Sequence, residues 1–185
     1  ECVGDGSDRG LHIQYVFNPY YEQGNALSLY AARPLMNGDP FLLSMADHVI
    51  SPGLLARMLE IREPVNALAV DYTTLARHME ESTHVMVDWD SRITHIGKEI
   101  TRWNGVDAGV FQLTPAIFDA LEECIGEEQE EHQLSQAITR MIEGDDPLLA
   151  CDISNCFWHD IDTWDDLNVV RQVIGLKDQN NYLNA

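Results

Sequence analysis

Lysine is nearly absent from this chain, and basic residues are scarce altogether. Only Lys98 and Lys177 occur among 185 residues, and 11 lysines and arginines stand against 31 aspartates and glutamates, for a net charge of −20. Nucleic-acid binding needs basic patches, so this balance argues against it. An anionic substrate would have to be held by a metal ion or by a few well-placed cations. The acidity itself fits two interpretations, a halophile-like solubility device or an ordinary acidic cytosolic surface.

The sequence also lacks long apolar runs, a visible signal peptide and closely spaced cysteines. No run approaches the roughly 18 residues that a membrane-spanning helix needs, so we expect no membrane segment and no secretory leader. The first residues are polar and glycine-rich and begin at Glu1, which is typical of a fragment or a processed chain. The four cysteines show no CxxC spacing, which favours reduced thiols over a disulfide or a metal site; they are Cys2, Cys124, Cys151 and Cys156.

The length and a hydrophobic content of 45% predict a single globular domain, residues 1–185, with a substantial core. Apolar runs of period two or less predict strands, and cap residues or prolines before helical patterns predict helices. Strands alternating with helices give an α/β sandwich with a mostly parallel sheet and an inserted antiparallel hairpin, 84–96. The predicted strands are 11–17, 41–46, 65–70, 84–87, 92–96, 106–113 and 148–153, and the predicted helices are 26–35, 52–59, 115–123, 134–142 and 163–175.

Two acidic motifs far apart in the sequence are the strongest functional signal. The apolar run 41–46 leads into Asp47, and the segment 157–163 (FWHDIDT) carries Asp160 and Asp162. Ligands of open α/β sheets bind at the carboxyl ends of strands, where both motifs could meet. Two carboxylates suit Mg²⁺, which fills its shell with substrate phosphates. Spacing alone does not choose between Asp160 and Asp162. We interpret Asp162 as part of the cap of the last helix, which leaves Asp160 for the metal.

Other candidate residues each have a functional and a structural interpretation. Lys98, just after the predicted hairpin, could contact a phosphate or be a surface lysine. Gly24-Asn25 opens a helix, so its backbone could approach a base or sugar, or form an ordinary turn and cap. His48 could contact substrate or be a hydrogen-bonded structural histidine. Asp107 and Gly109 lie in a predicted strand, where glycine often marks close approach by a ligand.

Five stretches together resemble the nucleotidyltransferases that activate phosphorylated sugars and alcohols with a nucleoside triphosphate, a superfamily that includes the MobA-like enzymes. The closest likeness is to the CTP:inositol-1-phosphate cytidylyltransferases. It rests on Ser-Leu-Tyr after Gly-Asn, on Asp-His-Val and on Ile-Gly-Lys-Glu. The stretches span most of the chain: 18–30 (NPYYEQGNALSLY), 41–49 (FLLSMADHV), 96–99 (IGKE), 104–111 (NGVDAGVF) and 157–167 (FWHDIDTWDDL).

The resemblance implies a Rossmann-like three-layer sandwich and an Mg²⁺-dependent enzyme that transfers a cytidylyl group from CTP to inositol-1-phosphate, releasing pyrophosphate. It places Asp47 and Asp160 on the metal, with Asp47 and Lys98 as catalytic residues. It also implies a role in phospholipid biosynthesis, with a nucleoside triphosphate and a phosphorylated polyol as partners. Without a membrane segment in this chain we expect a cytoplasmic domain, although the parent could be fused to a membrane alcohol-phosphatidyltransferase domain, as related enzymes sometimes are. The substrate-binding residues that the resemblance implies are Gly24, Asn25, Ser28, His48, Asp71, Asn104, Asp107 and Gly109.

The family's triphosphate loop has no counterpart in this sequence. That loop is glycine-rich, N-terminal and basic, and no stretch here matches it. The resemblance therefore implies that the first part of the family domain is missing. Three alternatives stay open: transfer to a sugar-1-phosphate with another base, transfer to phosphocholine, and a non-catalytic module that keeps the fold. A phosphocholine enzyme would need an aromatic and acidic cage, which Asp47-His48 does not obviously supply.

Overall fold

One long apolar strand, Gly105–Leu113, lies at the centre of the fold and is buried along almost its whole length. The computed structural model describes residues 4–62, 64–73, 82–127, 131–144 and 146–180, with side chains as far as residue 175. In chain order the strands are β1 (Phe41–Ser44), β2 (His48–Ile50), β3 (Asn66–Asp71), β4 (His84–Val87), β5 (Ile93–Gly97), β6 (Gly105–Leu113), β7 (Leu148–Asp152) and β8 (Trp158–Asp160). The α-helices are α1 (Asn25–Ala31), α2 (Pro52–Leu59), α3 (Ile117–Ile125), α4 (Leu134–Glu143) and α5 (Trp164–Asn180).

The central strand β6 has three neighbours. β3 pairs along one side of it, while β1 and β4 divide the other side. β1 pairs with residues 110–113 and β4 with residues 105–106, so β6 changes partner as it passes through Gly109. β7 extends the sheet beyond β3, and β5 extends it beyond β4. Between the two partners, the middle of β6 bonds to single groups instead of a strand: the N–H of Asp107 donates to Thr83 and the carbonyl of Gly109 accepts from Met45, both at 3.0 Å.

The α/β class is confirmed, but the sheet is not mostly parallel. Among the described strands only β3 and β7 pair in parallel, while β6 is antiparallel to β1, β3 and β4. Strands β1, β3, β4 and β7 therefore all run in one direction, and β6, lying among them, makes most neighbouring pairs antiparallel. A buried apolar run has the same pattern in a parallel and in an antiparallel strand, so the sequence of β6 does not indicate its direction relative to its neighbours.

Side chains of β3 and β6 alternate between two apolar layers, which completes a three-layer sandwich. On one face Leu68 and Phe111 pack with α1, α3 and α4. On the other face α2 packs through Leu54 and Met58, both fully buried, which stabilises the fold by about 1.5–3 kcal/mol for each side chain. The strand residues beneath α2 are small, which leaves room for those side chains: Ala67, Ala69, Ala108 and Val110.

Two predicted elements differ from the structure. Residues 11–17 form no strand, and their Tyr15 and Phe17 are 71% and 84% exposed. An alternating pattern cannot make a strand without a partner, and none of the described strands pairs with this segment. The last helix also continues through Gly175 to Asn180. A glycine inside a helix costs only about 1 kcal/mol relative to alanine, so it need not end one.

The predicted hairpin at 84–96 is present as β4 and β5. Its turn is tied to the far edge of the sheet, where the backbone N–H of Ala150 donates to the carbonyl of Ser91 at 2.8 Å. The other end of β5 leads directly into Lys98. The position of Lys98 is therefore set by an element that is held at both ends.

The described residues bear on two further predictions, the absence of a membrane segment and the reduced state of the cysteines. Within the described residues, no helix has both the length and the apolar character that crossing a membrane requires. Cys124, Cys151 and Cys156 are free, as predicted. Cys2 and the side chain of Lys177 lie outside the described residues.

Candidate active site

A cavity of about 630 Å³ lies where β6, the β2–β8 pair, the end of β5 and the first turn of α4 meet. Its charge is one-sided, because among the described residues five carboxylates line it against a single lysine. The acids are Asp47, Asp107, Glu131, Asp160 and Asp162, and the lysine is Lys98. The predicted site residues that line the cavity are Asn25, Asp47, His48, Lys98, Asp107, Gly109 and Asp160.

A separate two-stranded sheet brings Asp47 and Asp160 to the cavity. After β1 ends at Ser44, a turn leads to Asp47 just before β2. β8 ends on Asp160, opposite His48 in the antiparallel register, and the backbone N–H of Ile161 donates to the carbonyl of Asp47 at 3.0 Å. The Asp47 side chain is 55% exposed and accessible to a ligand. The two acidic motifs therefore meet through strand pairing.

Asp162 also lines the cavity, which corrects its interpretation as a helix cap. The cap of α5 is Thr163, whose Oγ1 accepts from the backbone N–H of Asp166 at 3.3 Å. Oδ2 of Asp166 in turn accepts from the backbone N–H and the hydroxyl of Thr163, at 2.8 and 2.7 Å. These reciprocal bonds resemble a capping box and leave Asp162 free of that task. The Thr-x-x-Asp spacing was the signal that identifies the cap.

Thr163→Ala should therefore cost stability, whereas Asp162→Asn should not. Loss of an N-cap oxygen costs about 1 kcal/mol, so we expect Thr163→Ala to lower the free energy of unfolding by that amount. Asp162→Asn keeps the side-chain size and removes one of the clustered negative charges, so stability should stay level or rise slightly. Urea unfolding of both variants measures this. The reverse ranking would restore Asp162 as the cap.

The His48 side chain is held against β6 by a backbone carbonyl of that strand. Its Nδ1 lies 2.9 Å from the carbonyl oxygen of Ala108. A carbonyl only accepts, so Nδ1 carries the proton, and Nε2 lies 3.8 Å from Oδ1 of Asp47. A Cβ on Gly109, whose φ is +72°, would lie 2.4 Å from the His48 ring. Glycine gives both the backbone conformation and the space, and the close approach predicted at Gly109 is made by this histidine.

Asp107 is a carboxylate with an altered titration. Its Oδ1 accepts from the backbone N–H of Gly109 at 2.7 Å, which turns the side chain back onto β6. Burial raises the pKa of Asp107 to about 6, although the Gly109 hydrogen bond and the nearby His48 act in the opposite direction. Slightly below neutral pH this carboxyl therefore exists in both forms and can accept or donate a hydrogen bond.

Asp107→Asn should stabilise the protein above pH 6 and flatten its pH dependence. The carboxyl ionises near 3.8 when unfolded and near 6 when folded, so the folded state holds more protons between those values. Asp107 therefore lowers stability as pH rises through that window, and the loss persists above it. We expect Asn, which keeps an acceptor for Gly109, to add about 1–2 kcal/mol near pH 7.5 and nothing near pH 4. Urea unfolding at both pH values tests this, and a variant less stable at the higher pH would contradict it.

The Gly24-Asn25 pair joins α1 to α4. Oδ1 of Asn25 accepts from the backbone N–H of Leu134 at 2.7 Å, so Asn25 supports the start of α4, a helix far along the chain whose N-cap is Gln133. Gly24 has a φ of +106°, and a Cβ there would lie 2.2 Å from the carbonyl oxygen of His132. That same carbonyl accepts from the backbone N–H of Ala26 at 3.1 Å. The pair thus has the turn-and-cap role, and Asn25 still reaches the cavity.

No protein-family model matches the chain, but comparison with known proteins finds similar sequences. The bifunctional IPC transferase and DIPP synthase of Rubrobacter xylanophilus is 30% identical over 175 residues, which cover 94% of this chain and 39% of that protein. The protein of the same name from Aquifex aeolicus is 28% identical over 167 residues, 90% of this chain and 36% of that protein. The chain thus spans less than two fifths of the length of these two relatives.

Solved structures extend the comparison. The inositol-1-phosphate CTP transferase from T. maritima matches with a TM-score of 0.82 and 27% identity, over 92% of this chain and 69% of that one. The chain belongs to the sugar- and alcohol-phosphate nucleotidyltransferase superfamily. A UDP-glucose pyrophosphorylase complexed with UDP-glucose, 18% identical, shares the nucleotidyltransferase fold with a TM-score of 0.71 over 84% of this chain and 63% of its own. The family and the Rossmann-like class predicted from the sequence are both confirmed.

Four residues that the resemblance placed on the nucleotidyltransferase substrate do not line the cavity: Gly24, Ser28, Asp71 and Asn104. Asn104 bonds to both backbone groups of Val87 at 2.8 Å and so fixes the end of β4. Ser28 accepts from Nδ2 of Asn18 at 3.0 Å. Asp71 is 3% exposed and accepts from the indole of Trp158. The described contacts of these side chains are made to groups of the protein itself.

Sequence reasoning did not single out Trp158 or the start of α4, which also line the cavity. Trp158 lines it and stacks on His48, with ring centroids 5.9 Å apart. Its position two residues before Asp160 was an available signal. Hydrogen bonds to the distant segment 23–26 hold the start of α4 at the cavity. This start adds three neutral polar side chains: Gln133, Ser135 and Gln136.

Divalent-metal binding is chemically compatible with the acidic wall. Among the described residues, no group of three or more His, Cys, Asp or Glu is arranged to hold a metal ion by itself. Asp47 and Asp160, with Asp162 beside them, offer hard oxygen ligands at one side of the cavity. Mg²⁺ usually takes one or two protein carboxylates and completes its shell with water and substrate phosphates. The residues present fit an Mg²⁺ site in which protein carboxylates supply some ligands, and water and substrate phosphates supply the others.

Proposed function

We propose that the protein transfers a cytidylyl group from CTP to inositol-1-phosphate, with Mg²⁺ as cofactor and pyrophosphate as the other product. The observation that carries the proposal is the cavity itself, which among the described residues is lined by one lysine and five carboxylates. The names of the relatives support the substrates, since two are IPC transferases and one solved structure is an inositol-1-phosphate CTP transferase.

The charge of the cavity supports the metal. The five carboxylates and one ammonium among the described lining residues would together repel a nucleoside triphosphate and a phosphorylated acceptor. A divalent cation bound by Asp47 and Asp160 would neutralise both the acids and the phosphates. When bound, Mg²⁺ supplies charge neutralisation at the α-phosphate.

Chemistry in this cavity needs positioning more than proton removal. A phosphate oxygen of the acceptor attacks the α-phosphorus, a new P–O bond forms, and the bond to the bridging oxygen breaks as pyrophosphate leaves. The nucleophile is already an anion, so no strong base is required. Lys98 would hold the acceptor phosphate as a point charge, and Asp107 would hydrogen-bond a polyol hydroxyl.

A pyrophosphate-release assay on the full-length protein tests the proposal. Each nucleoside triphosphate is supplied in turn with Mg²⁺ and with inositol-1-phosphate, glucose-1-phosphate or phosphocholine. We expect release that needs CTP and inositol-1-phosphate together. Release with another pair would move the substrate within the superfamily, and no release from folded protein with any pair would favour a non-catalytic module.

Lys98→Met should weaken binding of the acceptor more than binding of the nucleotide. It removes the charge and keeps an unbranched side chain, so we expect the half-saturating concentration of inositol-1-phosphate to rise by about 10–100-fold. The value for CTP should change by less than about threefold, since CTP is assigned to the carboxylate side. Arg102→Met, at an exposed position outside the cavity, is the control. Equal effects on both substrates would contradict the assignment.

A further inference from the structure

The small β2–β8 sheet that carries the acidic pair is not hydrogen-bonded to the six-stranded sheet as a ladder. Its strands have three residues each and pair only with one another. One backbone hydrogen bond, from the N–H of Met45 to the carbonyl of Gly109 at 3.0 Å, ties the turn before β2 to β6. The remaining described links to the main sheet include contacts of side chains, on which the position of β8 in particular depends. A metal site divided between Asp47 and Asp160 needs that position fixed to a fraction of an ångström.

Asp71 and Trp158 make such a link. Asp71 ends β3 in the main sheet and is 3% exposed. Its Oδ2 accepts from the indole Nε1–H of Trp158 at 2.9 Å, across a separation of 87 residues. Its Oδ1 accepts from the backbone N–H and the hydroxyl of Thr73, both at 2.7 Å, which orients the carboxylate. A charged acceptor makes the indole bond stronger than a neutral pair would.

The indole continues the link to both acidic strands. Trp158 and Asp160 are two positions apart on β8 and lie on the same face of the strand. The indole also stacks on His48 with an interplanar angle of 20°, and His48 follows Asp47 directly. One ring, held from the main sheet, thus touches β2 and belongs to β8.

We infer that Asp71 and Trp158 are positioning residues that hold Asp47 and Asp160 at the separation a divalent cation requires. The inference rests on the proposed function, because it takes those two carboxylates as the metal ligands. Asp71 itself does not reach the cavity, so it acts through Trp158. Partners that orient metal ligands typically contribute 10–100-fold to metal affinity.

Binding of Mn²⁺ alone, followed by electron paramagnetic resonance of the free ion, tests this on the full-length protein without turnover. We expect Asp71→Asn and Trp158→Phe each to weaken Mn²⁺ binding by at least about tenfold. The double variant should be little weaker than either single one, since both break one link. Trp89→Phe, at a tryptophan that is 91% exposed, is the matched control and should bind as the parent does.

The possible outcomes distinguish a failure of this inference from a failure of the proposed function on which it rests. Parent protein whose Mn²⁺ binding is absent or unaffected by Asp47→Asn would overturn the metal site and the inference with it. Parent binding that needs Asp47 but is unchanged in Asp71→Asn and Trp158→Phe would overturn the inference alone, as would fully additive losses. If Trp158→Phe does not fold, Asp71→Asn decides, because it keeps the side-chain volume. In the pyrophosphate-release assay we further expect Asp71→Asn and Trp158→Phe to need more Mg²⁺ than the parent. Their half-saturating concentration of inositol-1-phosphate, which is assigned to Lys98, should not change.

Discussion

Asp47→Asn should reduce turnover by about a thousandfold or more, which corresponds to about 4 kcal/mol of transition-state stabilisation. The substitution removes a charged ligand from a cavity that contains four other carboxylates. The remaining amide oxygen is a weaker ligand for Mg²⁺ and leaves the α-phosphate less well neutralised. Fold stability should not fall, because the Asp47 side chain is 55% exposed and lies among like charges. Pyrophosphate release and urea unfolding of the same preparation measure the two effects.

The matched control for Asp47 is Asp39→Asn. Asp39 is exposed and does not line the cavity, so the same chemical change there should leave turnover within about twofold of the parent. Raising Mg²⁺ should recover part of the lost rate in Asp47→Asn and none in a variant that fails to fold. Near-normal turnover with an unchanged Mg²⁺ requirement would remove Asp47 from the metal site.

Gly109→Ala should destabilise the protein by about 3 kcal/mol and impair turnover with it. Two costs combine: an alanine at a φ of +72° and a Cβ placed 2.4 Å from the His48 ring. A left-handed conformation costs an L-residue about 1–2 kcal/mol, and forcing a methyl group into a filled space costs about 1–3 kcal/mol. The ring would be displaced from its bond to Ala108 and would move Asp47 with it. Urea unfolding and pyrophosphate release report the two losses.

Gly38→Ala separates the two costs of the Gly109 substitution. Gly38 has a φ of +86°, and a Cβ there meets nothing within 4 Å, so only the conformational cost applies. We expect a loss of about 1 kcal/mol at that position. Adding His48→Ala to Gly109→Ala should recover the part of the stability loss that comes from the clash with the histidine ring. Equal losses in Gly38→Ala and Gly109→Ala would show that the histidine is not in contact.

Local patterns predicted most elements and the acidic pair, because those depend on neighbours in sequence. The Ser51-Pro52 start of α2 is present, with the Ser51 side chain accepting from the backbone N–H of Leu54. The acids at 47 and 160 reach one cavity as expected from strand ends. Strand direction was not encoded locally, since β6 takes its three neighbours from distant parts of the chain.

The surroundings of single residues depend on contacts made across the fold, which local patterns do not carry. Asn104 and Asp71 occupy motif positions, yet their described contacts are with Val87 and with Trp158, the second far away in sequence. Asp162 and Thr163 both directly precede the last helix, and hydrogen bonding assigns the cap to Thr163 together with Asp166. The exposed segment 11–17 shows that an alternating pattern is necessary for a half-buried strand but not sufficient.

The β2–β8 pairing has a consequence for the order in which the molecule assembles. It joins His48 to Asp160, which closes a loop of about 110 residues for only three residue pairs. So much chain entropy is offset only after β3, β6 and β7 have brought both strands near each other. The acidic pair should then form late in folding and separate early on warming. Backbone amides of 48–50 and 158–160 should exchange with deuterated solvent sooner than those of β3, so that the arrangement of Asp47 and Asp160 is lost at a temperature where the core remains intact.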